Sequence, residues 1–404
     1  MSKSPRSGEI DLTFGNNGRV DIVTDAEIIG KAKRQPDGKI LTVASREGLL
    51  GVQTFRHLEN GSPDPSYPAE GVITPLPDVP GIRLQMQDFH RATDGRNVIG
   101  ASLQRQQTSF HTVMVFFAVF TDGKLDPDFG TNGRTLLEIP GVMSTQTTSM
   151  VLMPLNKPTA LGRAMNTQTS GFSFAVRFSP FGRLDPSFGV NGISRDFPET
   201  ATLDVLHALP DGRMAIAGSL NRTETLGMVS RYTDAGSPDT TYGNNGHVYL
   251  DFSGQLPGTE EWPITVSSLS PDSSHVVAGY TVDGGKSVVW VSRVTPEGRP
   301  DASFNDGNPV ASSHGPFGHT LASIAVQADG KVVTGGTTVL DLRSTLERLT
   351  VDGKPDATFG ENGVVIVPSD DGGERLRHIE VQPDGKLLVT TSADSSIRIR
   401  RFHM

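Results

Sequence analysis

One phrase of nine or ten residues recurs seven times along this chain, and that recurrence leaves few folds open. The copies read EIDLTFGNNG from Glu9, SPDPSYPAEG from Ser62, KLDPDFGTNG from Lys124 and RLDPSFGVNG from Arg183. SPDTTYGNNG from Ser237, RPDASFNDG from Arg299 and KPDATFGENG from Lys354 complete the set. Their aspartates (Asp11, Asp64, Asp126, Asp185, Asp239, Asp301 and Asp356) are spaced by 53, 62, 59, 54, 62 and 55 residues. A second phrase alternates with the first: QPDGK (35–39), ATDGR (92–96), LPDGR (209–213), SPDSS (270–274), QADGK (327–331) and QPDGK (382–386). The degenerate PLNKP (154–158) stands in the third slot. Seven slots of each phrase define one repeat of about 58 residues, a period that belongs to solenoids and propellers.

Each repeat contains four short apolar segments. ILTVAS (40–45), VVTGG (332–336) and LLVTTS (387–392) follow the DGK phrase, where Gly supplies the positive φ of a tight hairpin. A segment ending in Arg comes next, as in SFAVRF (173–178), MVSRY (228–232) and VWVSRV (289–294). The aspartate phrase and one further strand, such as GVVIVP (363–368), close the unit. Four strands repeated seven times predict an all-β fold, a seven-bladed β-propeller of four-stranded antiparallel blades, forming a single domain over 1–404. The last repeat stops after its third strand at SSIRIRRFHM, while the chain opens on the phrase and strand that this repeat lacks. Residues 8–24 are therefore expected to supply the outer strand of the blade formed by 375–404, covering an edge that would otherwise invite aggregation.

Composition agrees with this architecture. The 45 Gly and 27 Pro suit turns rather than helices. A formal charge of −9 with no basic block argues against nucleic acid. The absence of cysteine removes disulfides, thiolate metal sites and a Cys nucleophile. The most apolar run, TVMVFFAVF (112–120), is half the length of a membrane-spanning helix and reads as a buried strand. The first residues carry no apolar h-region, so the expected location is the cytoplasm or a compartment reached by a non-Sec route. A closed propeller without free edges is expected to be a monomer.

The aspartate phrase itself reads as architecture, since a catalytic residue does not normally occur seven times. The Asp is placed to accept turn amides, the following aromatic (Phe14, Tyr67, Phe129, Phe188, Tyr242, Phe304, Phe359) to wedge between blades, and the closing Gly to bend left-handedly. An Arg eight residues before the Asp recurs as Arg56, Arg177, Arg231, Arg293 and Arg348, and is expected to pair with it; Ala118 breaks the series.

The joint pattern, QPDGK followed by LDxxFGxxG, resembles the delta-60 repeat family, bacterial propeller-like repeats of poorly defined function. The resemblance covers essentially the whole chain. It implies a bacterial origin and a propeller, and it implies no catalytic residues. SPDPSYPAEG and PLNKP depart from the family pattern.

Function is expected where the repeat is broken. Both phrases fall on one end of the blades. The other end carries connections that do not recur, among them 24–27, 77–82, 105–109, 221–226, 254–262 and 371–375. Divergent loops on a rigid scaffold are where binding usually lives. The longest contains Glu260, Glu261 and Trp262, a candidate contact loop. Counting back four and six residues from each turn Asp, or its equivalent, names the first-strand residues that line the channel. Polar pairs are Lys31 and Lys33, Asp88 and His90, and His378 and Glu380; Met150 and Leu152 occupy the third repeat. The polar sector suits an anion, a sugar, a metal or acid–base work. His314 and His319 share another loop and are a weaker metal-site candidate. No HExxH, GxSxG or EF-hand loop occurs, and no cofactor is indicated. The reading is a non-enzymatic binding or scaffold propeller presenting its divergent face to a protein partner. The alternatives are a hydrolase or lyase using the polar sector, or a glycan-binding lectin.

Overall fold

The computed structural model describes residues 5–76, 78–79, 81–105, 111–167, 171–221, 224–256, 263–312, 319–338, 341–369 and 373–404. Strand β1 is Arg19–Val23. The next sheet holds β2 (Ile28–Arg34), β3 (Ile40–Arg46), β4 (Gly51–His57) and β5 (Val72–Pro75). Then follow β6 (Arg83–Arg91), β7 (Asn97–Gln104), β8 (Thr112–Val119) and β9 (Arg134–Leu137), and after them β10 (Ser144–Met153), β11 (Lys157–Met165), β12 (Gly171–Arg177) and β13 (Ile193–Ser194). A fourth sheet comprises β14 (Ala201–Ala208), β15 (Met214–Asn221), β16 (Thr225–Tyr232) and β17 (His247–Leu250). Next come β18 (Ile264–Leu269), β19 (His275–Asp283), β20 (Lys286–Val294) and β21 (Val310–Ser312). The sixth sheet has β22 (His319–Val326), β23 (Val332–Thr338), β24 (Ser344–Leu349) and β25 (Val364–Ile366). The last holds β26 (Arg375–Val381), β27 (Leu387–Ala393) and β28 (Ser396–Phe402), and its fourth strand is β1, paired antiparallel with β28 from Arg19↔Arg400 to Val23↔Ser396. These are the seven four-stranded antiparallel blades of a β-propeller.

By compactness the chain divides into two units: Met1–Thr42, Arg56–Pro65 and Leu250–Met404 in one, Val43–Phe55 and Ser66–Tyr249 in the other. Within each, the second and third strands of the sheets are the most buried. β8 is covered along nearly its whole length (Phe116 and Phe117 are fully buried), and so is β24. Apolar faces of successive sheets meet in shared cores. One joins Met114 and Phe116 to Met150, Ala160 and Phe174, and another joins Val333 and Leu346 to Leu376 and Val389.

The DGK phrases close hairpins as three-residue loops. Gln35 N donates to Lys39 O, Gly38 N to Gln35 O, and Asp37 Oδ1 accepts from Lys39 N. This is a type I turn completed by a glycine in the left-handed region, here Gly38 at φ 86°.

The aspartate phrase is a fastener. Asp185 accepts the amide and hydroxyl of Ser187 on Oδ1 (3.1 and 2.6 Å) and the Arg177 Nε–H on Oδ2 (2.9 Å). Arg177, fully buried, stacks on Phe188 with its guanidinium carbon 4.8 Å from the ring centre. Phe188 in turn lies against Gly236 of the next blade, and Gly189 N donates to Ala235 O (2.8 Å). The expected Arg–Asp pairs all form: Arg56–Asp64, Arg177–Asp185, Arg231–Asp239, Arg293–Asp301 and Arg348–Asp356, at 2.5 to 2.9 Å. In the last blade Arg401 takes the role, reaching Asp11 at 2.8 Å. Where Ala118 breaks the series, Arg96 of the ATDGR turn replaces it, 2.6 Å from Asp126.

The basic residue of the turn phrase is a second partner for the same aspartates. Lys39 reaches Asp64, Lys157 reaches Asp185, Arg213 reaches Asp239, Lys331 reaches Asp356 and Lys386 reaches Asp11. Burial alone would raise the pKa of Asp11, Asp185, Asp239 and Asp356. The hydroxyl and amide of the residue two positions on, with the paired cations, outweigh it and hold all four far below the usual carboxylate range.

Candidate functional site

First strands of successive sheets lie side by side within each unit: β6, β10 and β14 in one, β18, β22, β26 and β2 in the other. Each of the five first strands from β10 onward, and β6, carries a one-residue register slip. The slip skips Gln87, Thr148, Asp204, Thr265, Ala322 and Arg377. A bulge re-aims side chains and leaves ladder groups to be satisfied otherwise. Hydroxyls of the preceding blade's second strand do this: Ser45 Oγ accepts from Met86 N, Ser102 Oγ from Thr147 N and Thr337 Oγ1 from Leu376 N. These hydroxyls stand eight residues after the turn residues Asp37, Asp94 and Asp329. That regular Ser/Thr is the sequence signal of the bulge, and period-two counting overlooks it.

The structure corrects the third repeat. Met153 pairs with Lys157 across Pro154, Leu155 and Asn156, the spacing of Gln35 and Lys39. PLNK thus matches PDGK, and Leu155, not Asn156, stands at the position of the turn Asp. The positions equivalent to Asp88 and His90 are therefore Ser149 and Val151, not Met150 and Leu152. Met150 is buried in the core between sheets.

Lys31 and Lys33 lie on β2, with His378 and Glu380 on β26. Glu380 Oε2 accepts from Arg34 N at 2.8 Å. Burial pushes its carboxyl up, against the pull of the Arg34 amide and the nearby Lys33 and Arg34 charges. Asp88 and His90 lie in the other unit, on β6, with His90 Nε2 3.7 Å from Asp88 Oδ2 and 2.9 Å from Met150 O. A carbonyl only accepts, so His90 Nε2 carries the proton. Ser149 Oγ and Ser323 Oγ likewise accept from Leu206 N and Ile379 N of the next first strand. The polar wall residues thus tie neighbouring first strands together. Asp204, on its bulge, has a carboxyl pushed up to about 6 by burial, with Arg163 opposing. No group of three His, Cys, Asp or Glu fit to hold a metal ion occurs among the described residues.

Glu260, Glu261 and Trp262 lie outside the described residues, as do His314 and residues 106–110, 222–223 and 371–372 of the other divergent connections.

A pocket of about 580 Å³ opens on the divergent end of the β6–β9 blade, where the β7–β8 and β9–β10 connections converge. Sequence reasoning named its Arg105 only as the start of a loop. Val113, Leu137, Ile139, Pro140, Val142 and Met143 give it apolar walls. Arg105 and His111 face each other across the hairpin, with Arg105 N donating to His111 O at 2.8 Å. Arg105 Nη2 meets Glu138 Oε1 at 2.5 Å. Arg105 Nε and His111 Nδ1 are buried without a hydrogen-bond partner. Leaving such a group unpaired costs about 1–3 kcal/mol. Thr112, Ser144 and Thr145 are satisfied internally: Thr112 Oγ1 bonds Ser144 Oγ (2.7 Å) and donates to Thr145 O (3.1 Å).

Comparison with known proteins agrees with the fold. A family described as "Domain of unknown function (DUF5122) beta-propeller" matches residues 327–359, which supports a β-propeller repeat family. No curated protein matches the sequence. Among solved structures, the extracellular domains 1–2 of Drosophila Semaphorin 1a are similar at 10% identity and TM-score 0.53, over 95% of this chain and 87% of that one. Drosophila Semaphorin 2a is similar at 9% identity and TM-score 0.51, over 98% and 76%. Polysaccharide lyase Uly1 follows at 11% identity and TM-score 0.49, over 97% and 92%. At such identities the likeness is one of fold. No helix among the described residues is long and apolar enough to cross a membrane.

Proposed function

We propose that this chain is a non-catalytic binding propeller that presents its divergent end to a protein partner. The observation that carries the reading is the pocket between Arg105, His111 and Glu138, a concavity made of non-repeating residues on the end free of both phrases. An apolar centre within a charged rim is the anatomy of a protein-recognition surface. The signature end supports the same division of labour, since its aspartates and arginines are spent on one another.

A lectin would reuse an aromatic platform in each blade. Here the repeated rings lie buried beneath arginines, as Phe188, Phe304 and Phe359 do. Acid–base catalysis has less support, because the His90 Nε2–H is given to Met150 O and Glu380 accepts the Arg34 amide.

Crosslinking capture with identification of the captured protein tests the proposal. Glu138→Arg, or deletion of 254–262, is expected to abolish capture, while Lys124→Glu on the signature end leaves it unchanged. Equal capture by all variants would refute it. Turnover abolished by His90→Ala or His378→Ala in a folded protein would replace it with the enzymatic reading, and specific glycan-array hits with the lectin.

A further inference from the structure

We infer that the pocket at Arg105 takes an apolar chain ending in a single carboxylate. Its location rests on the reading of the divergent end as the binding face; its chemistry rests on the lining. About 580 Å³ is within the range of small-ligand sites, and six apolar side chains line it. Among the polar lining residues, the hydroxyls of Thr112, Ser144 and Thr145 are occupied by one another and by backbone carbonyls. Among the described residues no Phe, Tyr or Trp contributes to the walls, so these offer a sugar ring neither a platform nor free hydroxyl partners.

Among the described lining residues the remaining polar groups are two nitrogen bases and one acid. Arg105 and His111 sit opposite each other on the β7–β8 hairpin, and each keeps a buried nitrogen without a partner. Glu138, the only acid among the described lining residues, has a side chain 64% exposed and holds Arg105 from the solvent side. An exposed ion pair of this kind is weak, so an incoming carboxylate can take over the guanidinium. Planar carboxylate and guanidinium groups match in a two-bond fork. Small shifts of the Arg105 and His111 side chains bring Nε–H and Nδ1–H to the same anion, while the apolar chain displaces water from the walls. An amine would meet two bases and one acid, and an alcohol would leave the guanidinium on Glu138. The carboxylate has two sources, a free aliphatic acid or the C-terminal residue of a polypeptide.

Titration calorimetry on the full chain decides, with octanoate, octylamine and octan-1-ol as probes beside a hexapeptide ending in free leucine and its C-terminal amide. One or both acids are expected to bind, and the amine, alcohol and amide at least roughly tenfold more weakly. Octanoate binding identifies the free acid as the source, and binding of the acid peptide alone identifies a polypeptide end. Arg105→Gln should lose roughly tenfold or more with unchanged thermal unfolding. Should that variant not fold, Glu138→Gln removes the competing acid and should tighten acid binding. Octylamine binding as tightly as octanoate, an unchanged affinity in Arg105→Gln, no tightening in Glu138→Gln, or no heat from either acid would each overturn the inference. Loss of acid binding alongside intact, Glu138-dependent capture of a partner would sink the ligand class and leave the binding face standing.

Discussion

Arg401 and Asp11, 390 positions apart, make the contact that Arg177 and Asp185 make eight apart: a guanidinium Nε–H on a buried carboxylate, at 2.8 and 2.9 Å. Each arginine also covers the aromatic of its phrase, Phe14 at 4.7 Å and Phe188 at 4.8 Å. Removing one member of a buried pair strands the other charge, at a cost of about 3–5 kcal/mol. Asp11→Asn, which strands Arg401, should lower the urea unfolding free energy by that order, and Arg401→Ala, which leaves Lys386 on Asp11, by less. The double variant should cost clearly less than their sum; additivity would show that the two do not act as a pair.

Substitution of the aspartate's second cation is expected to matter unequally. Among the described residues Asp126 has Arg96 as its single cation, because Ala118 occupies the usual position, whereas Asp239 keeps Arg231 when Arg213 is removed. Arg96→Leu should therefore cost about 3 kcal/mol and Arg213→Leu about 1 kcal/mol or less. Comparable losses in paired chemical denaturation curves would count against this ranking.

Gly236 sits at φ 84°, and a β-carbon there would come within 2.7 Å of the Phe188 ring. Gly254 has φ 72° but nothing within 4 Å. Gly254→Ala isolates the backbone penalty of about 1 kcal/mol. Gly236→Ala should cost at least about 2 kcal/mol more through overpacking, part of it recovered by adding Phe188→Leu. Equal melting temperatures for the two alanine variants would contradict the wedge.

Two sets of carboxylates give opposite pH trends. The folded pKa values of Asp11, Asp185, Asp239 and Asp356 lie below the unfolded one, so their stabilisation is complete above about pH 4 and fades as pH falls further. The folded pKa of Asp204, about 6, lies above it. Its contribution is present below about pH 4 and is lost as pH rises through 6. Asp204→Asn should then raise stability at pH 7 by about 1–3 kcal/mol and flatten the profile between pH 4 and 7. An unchanged profile would show that Asp204 is ordinarily solvated.

The blades are legible in the sequence because the phrases act locally. An Asx turn, a left-handed glycine and a period of two are properties of a few adjacent residues, and Asp185 through Gly192 specify their bend almost unaided. Features that depend on a second segment are not. That Arg96 would serve Asp126 is invisible without the fold, since ATDGR looks like every other turn. In the third repeat the turn is PLNK and Pro158 already belongs to the second strand. Counting from PLNKP therefore places the wall one residue late, on Met150, and period-two counting carries such a slip along the whole strand. Asp204 is not legible by period-two counting because it is the skipped residue of its bulge, seven positions before Asp211, where the alternation breaks. Arg105, His111 and Glu138 meet because two unrelated connections converge, and neither contains a motif.

The pairing of β1 with β28 has a further consequence for how the chain is assembled. Six blades are contiguous in sequence, and the ribosome can release each as a finished hairpin array. The seventh must wait with an unpaired N-terminal ribbon until translation delivers Phe402, so its closure carries the entropy of nearly the entire polypeptide. Relocating the ends by circular permutation into a link between two blades would make all seven contiguous, trading the global latch for a native state that forms sooner and frays more easily at its new seam.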